Sequence, residues 1–101
     1  MWQDMAKMAK AFQEEIVRMK KNLEEARFTG ESDDQKVVVE TNGLEEIVNV
    51  TFYMDEISPD SKRILEQSIV QATNKALTEA RKSLQQKTRD LTGGLNFEDF
   101  R

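Results

Sequence analysis

A chain of 101 residues with 15 Lys or Arg, 19 Asp or Glu and neither Cys nor His makes one small domain with a thin core, since chains this short bury only about 60–65% of the surface their unfolded form exposes. The missing thiols and imidazoles exclude disulfides, thiolate or imidazole catalysis and the usual zinc and transition-metal ligands. A formal charge of −4, with 38% hydrophobic and 34% charged residues, describes helices with broad solvated faces.

The chain opens on an apolar stripe. Trp2, Met5, Ala9, Phe12, Ile16, Met19, Leu23 and Ala26 alternate spacings of three and four, the period of a helix seam. The spacing predicts a helix over 2–27 whose seam lies against another helix, within the chain or across a dimer. Its polar face mixes both signs, with Glu14 and Arg18 four apart as a stabilising pair, and Arg18, Lys20, Lys21 and Arg27 expected to pair with Glu14, Glu24 and Glu25. This is unlike the nearly pure Lys/Arg face that an anionic membrane favours. With an acid at Asp4 and no apolar run longer than three residues, the sequence predicts neither a signal peptide nor a membrane span, and hence a cytoplasmic protein.

Phe28, Thr29 and Gly30 end the helical pattern, and Phe28 to Ser32 reads as a short strand followed by a polar turn at Asp33, Asp34 and Gln35. Lys36 to Thr41 is a β-branched run, and Asn42-Gly43 supplies the dipeptide that suits a type I′ hairpin turn. The returning strand, near Ile47 to Met54, alternates Val48, Val50 and Phe52 with Asn49, Thr51 and Tyr53. A three-stranded antiparallel meander over 28–54 follows. The acidic pairs Asp33-Asp34 and Asp55-Glu56 read as solvated turn residues rather than a magnesium site or an acid/base pair, because an oxygen-ligand site needs convergent carboxylates.

Ser58-Pro59-Asp60 is a helix start: serine caps, proline suits the first helical position and the acid complements the positive end of the helix. The helix runs over 59–91, with Leu65, Ile69, Ala72 and Ala76 drifting into Val70, Leu77, Leu84 and Leu91, and Thr92-Gly93-Gly94 ends it. A tail over 92–101 has Phe97 and Phe100 as its large anchors. At 1.5 Å per residue the helices span roughly 39 and 48 Å, against about 20 Å for a six-residue strand. Both therefore overhang the sheet, and their overhangs pair as an arm that brings Lys7 and Lys10 near Arg81, Lys82, Lys87 and Arg89.

Charge is distributed unevenly. Residues 1–27 carry six cations and five acids, 28–59 one cation and eight acids, 60–91 seven cations and four acids, and 92–101 one cation and two acids. Lys75, Arg81, Lys82, Lys87 and Arg89 are then either a solvated helix face or contacts to phosphate. No aromatic residue interleaves them, against a single-strand stacking platform, and no helix-turn-helix spacing, basic zipper region or zinc-ligand set is present to read base edges. There is no Walker or dinucleotide glycine pattern, and Ser and Thr lack a partner base of His type.

The whole pattern resembles the YbaB/EbfC family of bacterial nucleoid-associated proteins. The resemblance rests on the first helix with Met5, Met8, Phe12, Gln13 and Met19, on Thr29-Gly30-Glu31, on Lys36 to Thr41 closed by Asn42-Gly43, and on Leu65 to Lys82, within which Ala72-Thr73-Asn74-Lys75-Ala76-Leu77 is the most family-like segment. The chain departs from the family pattern at the acidic turn 33–35, in the approach to the second helix over 54–59, and in the tail 96–101. The resemblance implies an α+β subunit of helix, antiparallel meander and helix, assembled as a homodimer with projecting helical arms that contact duplex DNA with little sequence preference. The expected DNA-binding residues are Lys7, Lys10, Lys75, Arg81, Lys82, Lys87 and Arg89, with no catalytic or metal-binding residue, no cofactor, no membrane and no small-molecule substrate, and a place at the nucleoid. The alternative is a non-enzymatic protein-interaction module that has lost DNA binding.

Overall fold

The computed structural model describes residues 2–91. Helix α1 runs over Trp2–Glu25, strands β1, β2 and β3 over Phe28–Glu31, Val37–Thr41 and Ile47–Phe52, and helix α2 over Lys62–Leu91. The strands form one antiparallel sheet in the order β1-β2-β3. This is the expected helix, meander and helix, with boundaries two residues inside the expectation at the end of α1 and at the end of β3.

Good helix formers carry α1, and its last carbonyls are closed from outside the helix. Arg27 Nη1 donates to the carbonyls of Glu24 and Ala26, both at 2.9 Å, and the Gly43 amide, from the loop joining β2 to β3, donates to the Leu23 carbonyl at 2.7 Å. These donors satisfy acceptors that a helix end otherwise leaves to water. The loop differs from the expected type I′ turn. It spans five residues, Asn42 to Glu46, and the Asn42 side-chain oxygen accepts from the Leu44 and Glu46 amides at 2.9 and 3.0 Å. The left-handed residue is Glu45, φ 65°. Gly43 is required for a different reason, because a Cβ there would sit 2.7 Å from Leu23 Cδ2 and 2.9 Å from the Leu23 carbonyl oxygen. Asn-Gly marks the loop correctly, but it serves an Asx-type turn and a close approach to α1.

Residues opposite one another in the ladder share a face. Val37 pairs with Phe52, Val39 with Gly30 and with Val50, and Thr41 with Phe28. Val37, Val39 and Thr41 are fully buried on that face, which α2 covers. Helix α2 begins after a 3-10 turn, Pro59–Ser61, where Ser58 and Ser61 form a reciprocal cap: the Ser61 amide donates to Ser58 Oγ at 3.3 Å and the Ser58 amide to Ser61 Oγ at 3.2 Å. The buried residues of α2 are Leu65, Ser68, Ala72, Ala76 and Ala80, one face at spacings of three and four. Val70 falls outside that stripe and is 59% exposed, so the expected drift of the apolar face through Val70 is corrected. Alanines on the helix and glycine on the strand bring the two backbones together. A Cβ at Gly30 would collide with the carbonyl of Ala72 and the amide of Ala76, and would come within 2.9 Å of Lys75 Cβ.

The core is small: Val37, Val39, Leu65, Ala72 and Ala76, with Met54 and Ile69 packed against it. Helix α2 lies across β1 and β2 and leaves β3 at its side, so Val50 and Phe52 remain 39% and 41% exposed although they share the covered face. The molecule measures 69 × 29 × 15 Å, as two overhanging helices require. Among the described residues no helix is long and apolar enough to cross a membrane.

Two substitutions test this packing. Gly30→Ala forces methyl against helix backbone and should cost about 2–3 kcal/mol, read as a lowered urea midpoint. Thr41 Oγ1 is buried and has no hydrogen-bond partner among the described residues, so Thr41→Val should stabilise the fold by about 1 kcal/mol in the same titration.

Candidate nucleic-acid interface

The arm is built by helices that enter and leave the sheet at the same end. Glu15, Met19 and Asn22 of α1 share a cleft with Lys87, Asp90 and Leu91 of α2, so the C-terminal part of α1 runs beside the C-terminal part of α2 in the opposite direction, as expected. The level at which they pair is not the expected one. Lys7 stands twelve residues beyond Met19 toward the tip, and Arg81 six residues from Lys87 toward the sheet, which separates them by roughly 27 Å along the arm. Lys7 and Lys10 therefore lie past the described end of α2, away from Arg81 and Lys82. Counting from two ends of unequal overhang sets the direction of the helices but not their stagger.

The seven cations fall into three groups. Lys75 and Arg81 are tied to the sheet: Lys75 Nζ donates to Asp33 Oδ1 at 2.7 Å and to the Glu31 carbonyl at 3.0 Å, and Arg81 Nε donates to Glu45 Oε1 at 2.8 Å. Lys82, Lys87 and Arg89 occupy the outer length of α2. Lys82 makes a loose 3.4 Å contact with Glu79 one turn back, Lys87 is half-buried beside α1, and Arg89 is exposed in the last turn. At 100° per residue Arg81, Lys82 and Arg89 share the side of α2 turned away from Ala72, Ala76 and Ala80. Lys7 and Lys10 form the third group, exposed on the side of α1 opposite its apolar stripe and without an ion pair among the described residues. Elsewhere on α1, Arg18 pairs with Glu15 at 2.8 Å rather than with Glu14, and Arg27 Nε approaches Glu40 at 3.8 Å rather than Glu24 or Glu25.

The acidic turns supply the partners, and here the reading of Asp33-Asp34 as merely solvated is corrected. Asp34 accepts from Ser32 Oγ and Ser68 Oγ, both at 2.6 Å, and from the Lys36 amide at 3.1 Å. Ser32 Oγ in turn accepts from the Val37 amide at 3.1 Å, and the Asp33 amide donates to Gln71 Oε1 at 3.1 Å. The turn between β1 and β2 is thereby pinned to α2 at Ser68, Gln71 and Lys75. Hydrogen bonds from Ser32 first, then Ser68 and the Lys36 amide, hold the Asp34 carboxyl down to about 2, from an ordinary 3.8, because each donor favours the charged form. A polar residue in the buried stripe of α2, Ser68, was the available signal, since such a hydroxyl needs a partner.

Comparison with known proteins follows the same outline. The profile of the YbaB/EbfC DNA-binding family matches residues 1–95. A nucleoid-associated protein of Clostridium novyi is 31% identical over 94 residues, covering 93% of this chain and 82% of its own length. One from Streptococcus thermophilus is 32% identical over 95 residues, covering 94% and 96%. The crystal structure of an uncharacterized protein of Helicobacter pylori superposes with a TM-score of 0.76 at 16% identity, covering 87% of this chain and 92% of that one, and so shares the fold.

The Asp34 pin gives a pH dependence of known sign. A carboxyl lowered in the folded state binds its proton more readily in the unfolded chain, so its contribution is complete above about pH 4 and is lost as pH falls toward 2. Urea midpoints measured between pH 5 and pH 2 should fall for the parent, and Asp34→Asn should be weaker at pH 5 and lose less on acidification.

Proposed function

We propose, from the premise that this chain belongs to the YbaB/EbfC DNA-binding family, that its two-helix arm is the element that meets duplex DNA. Membership makes it a nucleoid-associated DNA-binding protein. The observation that carries the residue-level reading is the outward row Lys82 and Arg89, with Arg81 beside them, on a helix reaching well past the sheet. Lys7 and Lys10 extend it to the tip, and Lys87 lies in the cleft between the helices. Ammonium and guanidinium groups there displace condensed counterions from the phosphate backbone. Because the sequence carries no helix-turn-helix spacing, basic zipper region or zinc-ligand set of the kind that reads base edges, selectivity among sequences is expected to be low. Lys75 and Arg81 join the set from within their pairs with Asp33 and Glu45, and phosphate must compete with those carboxylates.

The protein acts as a homodimer by binding alone, without a small-molecule substrate, at the nucleoid in the cytoplasm. Support for the dimer comes from the part of the sheet that α2 leaves open, where Val48, Val50 and Phe52 are each about two-fifths exposed and β3 offers a free edge. Two arms on one platform double the phosphate contacts without lengthening either helix. The acidic stretch 28–59 repels the backbone, keeping contact to the arms. The same acidic stretch favours the second reading, a protein-interaction module without DNA affinity.

A gel-shift titration on a nonspecific duplex separates the two. Between 50 and 200 mM salt, affinity should drop roughly a hundredfold if about four phosphates are contacted, and Lys82→Glu with Lys87→Glu and Arg89→Glu should abolish binding. Lys75→Ala, whose ammonium is already engaged by Asp33, should weaken it least. A flat salt profile would favour the interaction module, and unchanged binding by the triple variant would refute the assignment to α2.

A further inference from the structure

Asn42-Gly43 has no part in meeting DNA, yet it carries a chemistry of its own. Where glycine follows asparagine, the glycine amide nitrogen has no Cβ beside it to hinder its approach to the asparagine side-chain carbonyl carbon. The chain's other asparagines precede Leu23, Val50, Lys75 and Phe97, whose side chains do hinder it. In the folded protein both reacting groups are held. The Gly43 N–H donates to the Leu23 carbonyl at 2.7 Å. Asn42 is 5% exposed, its Oδ1 accepts from the Leu44 and Glu46 amides at 2.9 and 3.0 Å, and its Nδ2 donates to Glu46 Oε1 at 2.8 Å.

The hold on the nucleophile is the weaker of the two. Leu23 is the one buried side chain of α1 among the described residues, and the rest of the apolar stripe grows barer toward the N-terminus, from Ile16 at 39% exposed through Phe12 at 51% to Trp2 at 83%. A helix end held this way opens locally more often than the whole sheet unfolds. We infer that Asn42 is a self-modification site, kept silent by the docked end of α1 and switched on when α1 is released. Once the Leu23 carbonyl has moved away, solvent takes the Gly43 amide proton, the nitrogen bonds to Asn42 Cγ, the Cγ–Nδ2 bond breaks and ammonia leaves. Water then opens the five-membered imide at either carbonyl, giving aspartate or its β-linked isomer, with one water consumed for each ammonia released. Neither product restores the loop. A carboxylate at position 42 has no proton to donate to Glu46 and puts like charges where a 2.8 Å hydrogen bond stood, and the β-linked isomer lengthens the main chain beside the β2–β3 register. The same loop holds α2 through Arg81 and Glu45 at 2.8 Å, so the change reaches both helices of the arm. None of this depends on the arm meeting DNA.

Peptide mass mapping of the full-length protein, kept at mildly alkaline pH, reads the reaction as conversion at Asn42. It should run at least about tenfold slower in the folded parent than in the urea-unfolded chain, and equal rates would overturn the proposal. Leu23→Ala, which empties the anchor of α1, should raise the folded rate at least about fivefold, and an unchanged rate would overturn it too. A measurement on the parent alone separates release of α1 from loss of the whole fold. Across urea concentrations below the unfolding transition, the rate should rise less steeply than the unfolded fraction, because local opening exposes less surface. A parallel rise would assign the reaction to global unfolding and sink the role of α1. Asn42→Asp, which installs one of the products, should speed amide exchange at Gly43 and in the last turn of α1 at least about threefold, whereas exchange like the parent's would refute the consequence for the arm.

Discussion

The contact between the backbone of α2 and the β1 glycine sets the geometry of the whole molecule. Gly30 lies under Ala72 and Ala76 with no room for a methyl group, so helix and strand touch main chain to main chain rather than through long side chains. Such a contact has little slack, since interiors pack at crystal-like density. The precision matters because α2 is a lever. Its 30 residues make a rod about 45 Å long, of which roughly 23 Å lies beyond Ala76, and a tilt of about 5° at that contact moves the far end by about 2 Å. The direction in which the outer cations point is decided at a glycine far from them.

Polar ties complete what the thin core begins. Ser68 and Asp34, Lys75 and Asp33, and Arg81 and Glu45 join α2 to the loops on both sides of β2. The two ion pairs are substantially exposed, and exposed pairs contribute little stability individually. Their positions matter more, since they fix the loops against the helix and neutralise part of the acid in the sheet. What remains is a molecule graded in charge, negative around the sheet and positive along the outer helices, so a polyanion is oriented toward the arms before any close contact forms.

How much of this could be read from residues alone depended on the range of the interaction. The stripe in α1, the β-branched run at Val37 to Val39 and the Ser58-Pro59 start are local signals, and each element stands where its signal placed it. Asn42-Gly43 announced a loop, but its form depended on Leu23, some twenty residues earlier, which the glycine must accommodate. Asp34 reads as an ordinary turn acid until Ser68, 34 residues later, is brought beneath it. Lys7 and Arg81 stand far apart along the arm although the element lengths alone place them together, because stagger between two helices is a property of their packing and no local pattern encodes it. The cations themselves were visible, but which of them the sheet already holds was not.

Among the described residues, α1 is anchored only through its final turns, with Leu23 its one buried side chain and the Gly43 amide bound to its carbonyl. A helix held at one end keeps its shape mainly by its own hydrogen bonds, which are marginal in water for an isolated segment of this length. Amide exchange should therefore quicken from Leu23 toward Trp2, and the order of this helix becomes a variable that its surroundings adjust. Anything that settles along the bare side converts a fraying rod into a stiff one, so the arm carries its own setting for rigidity.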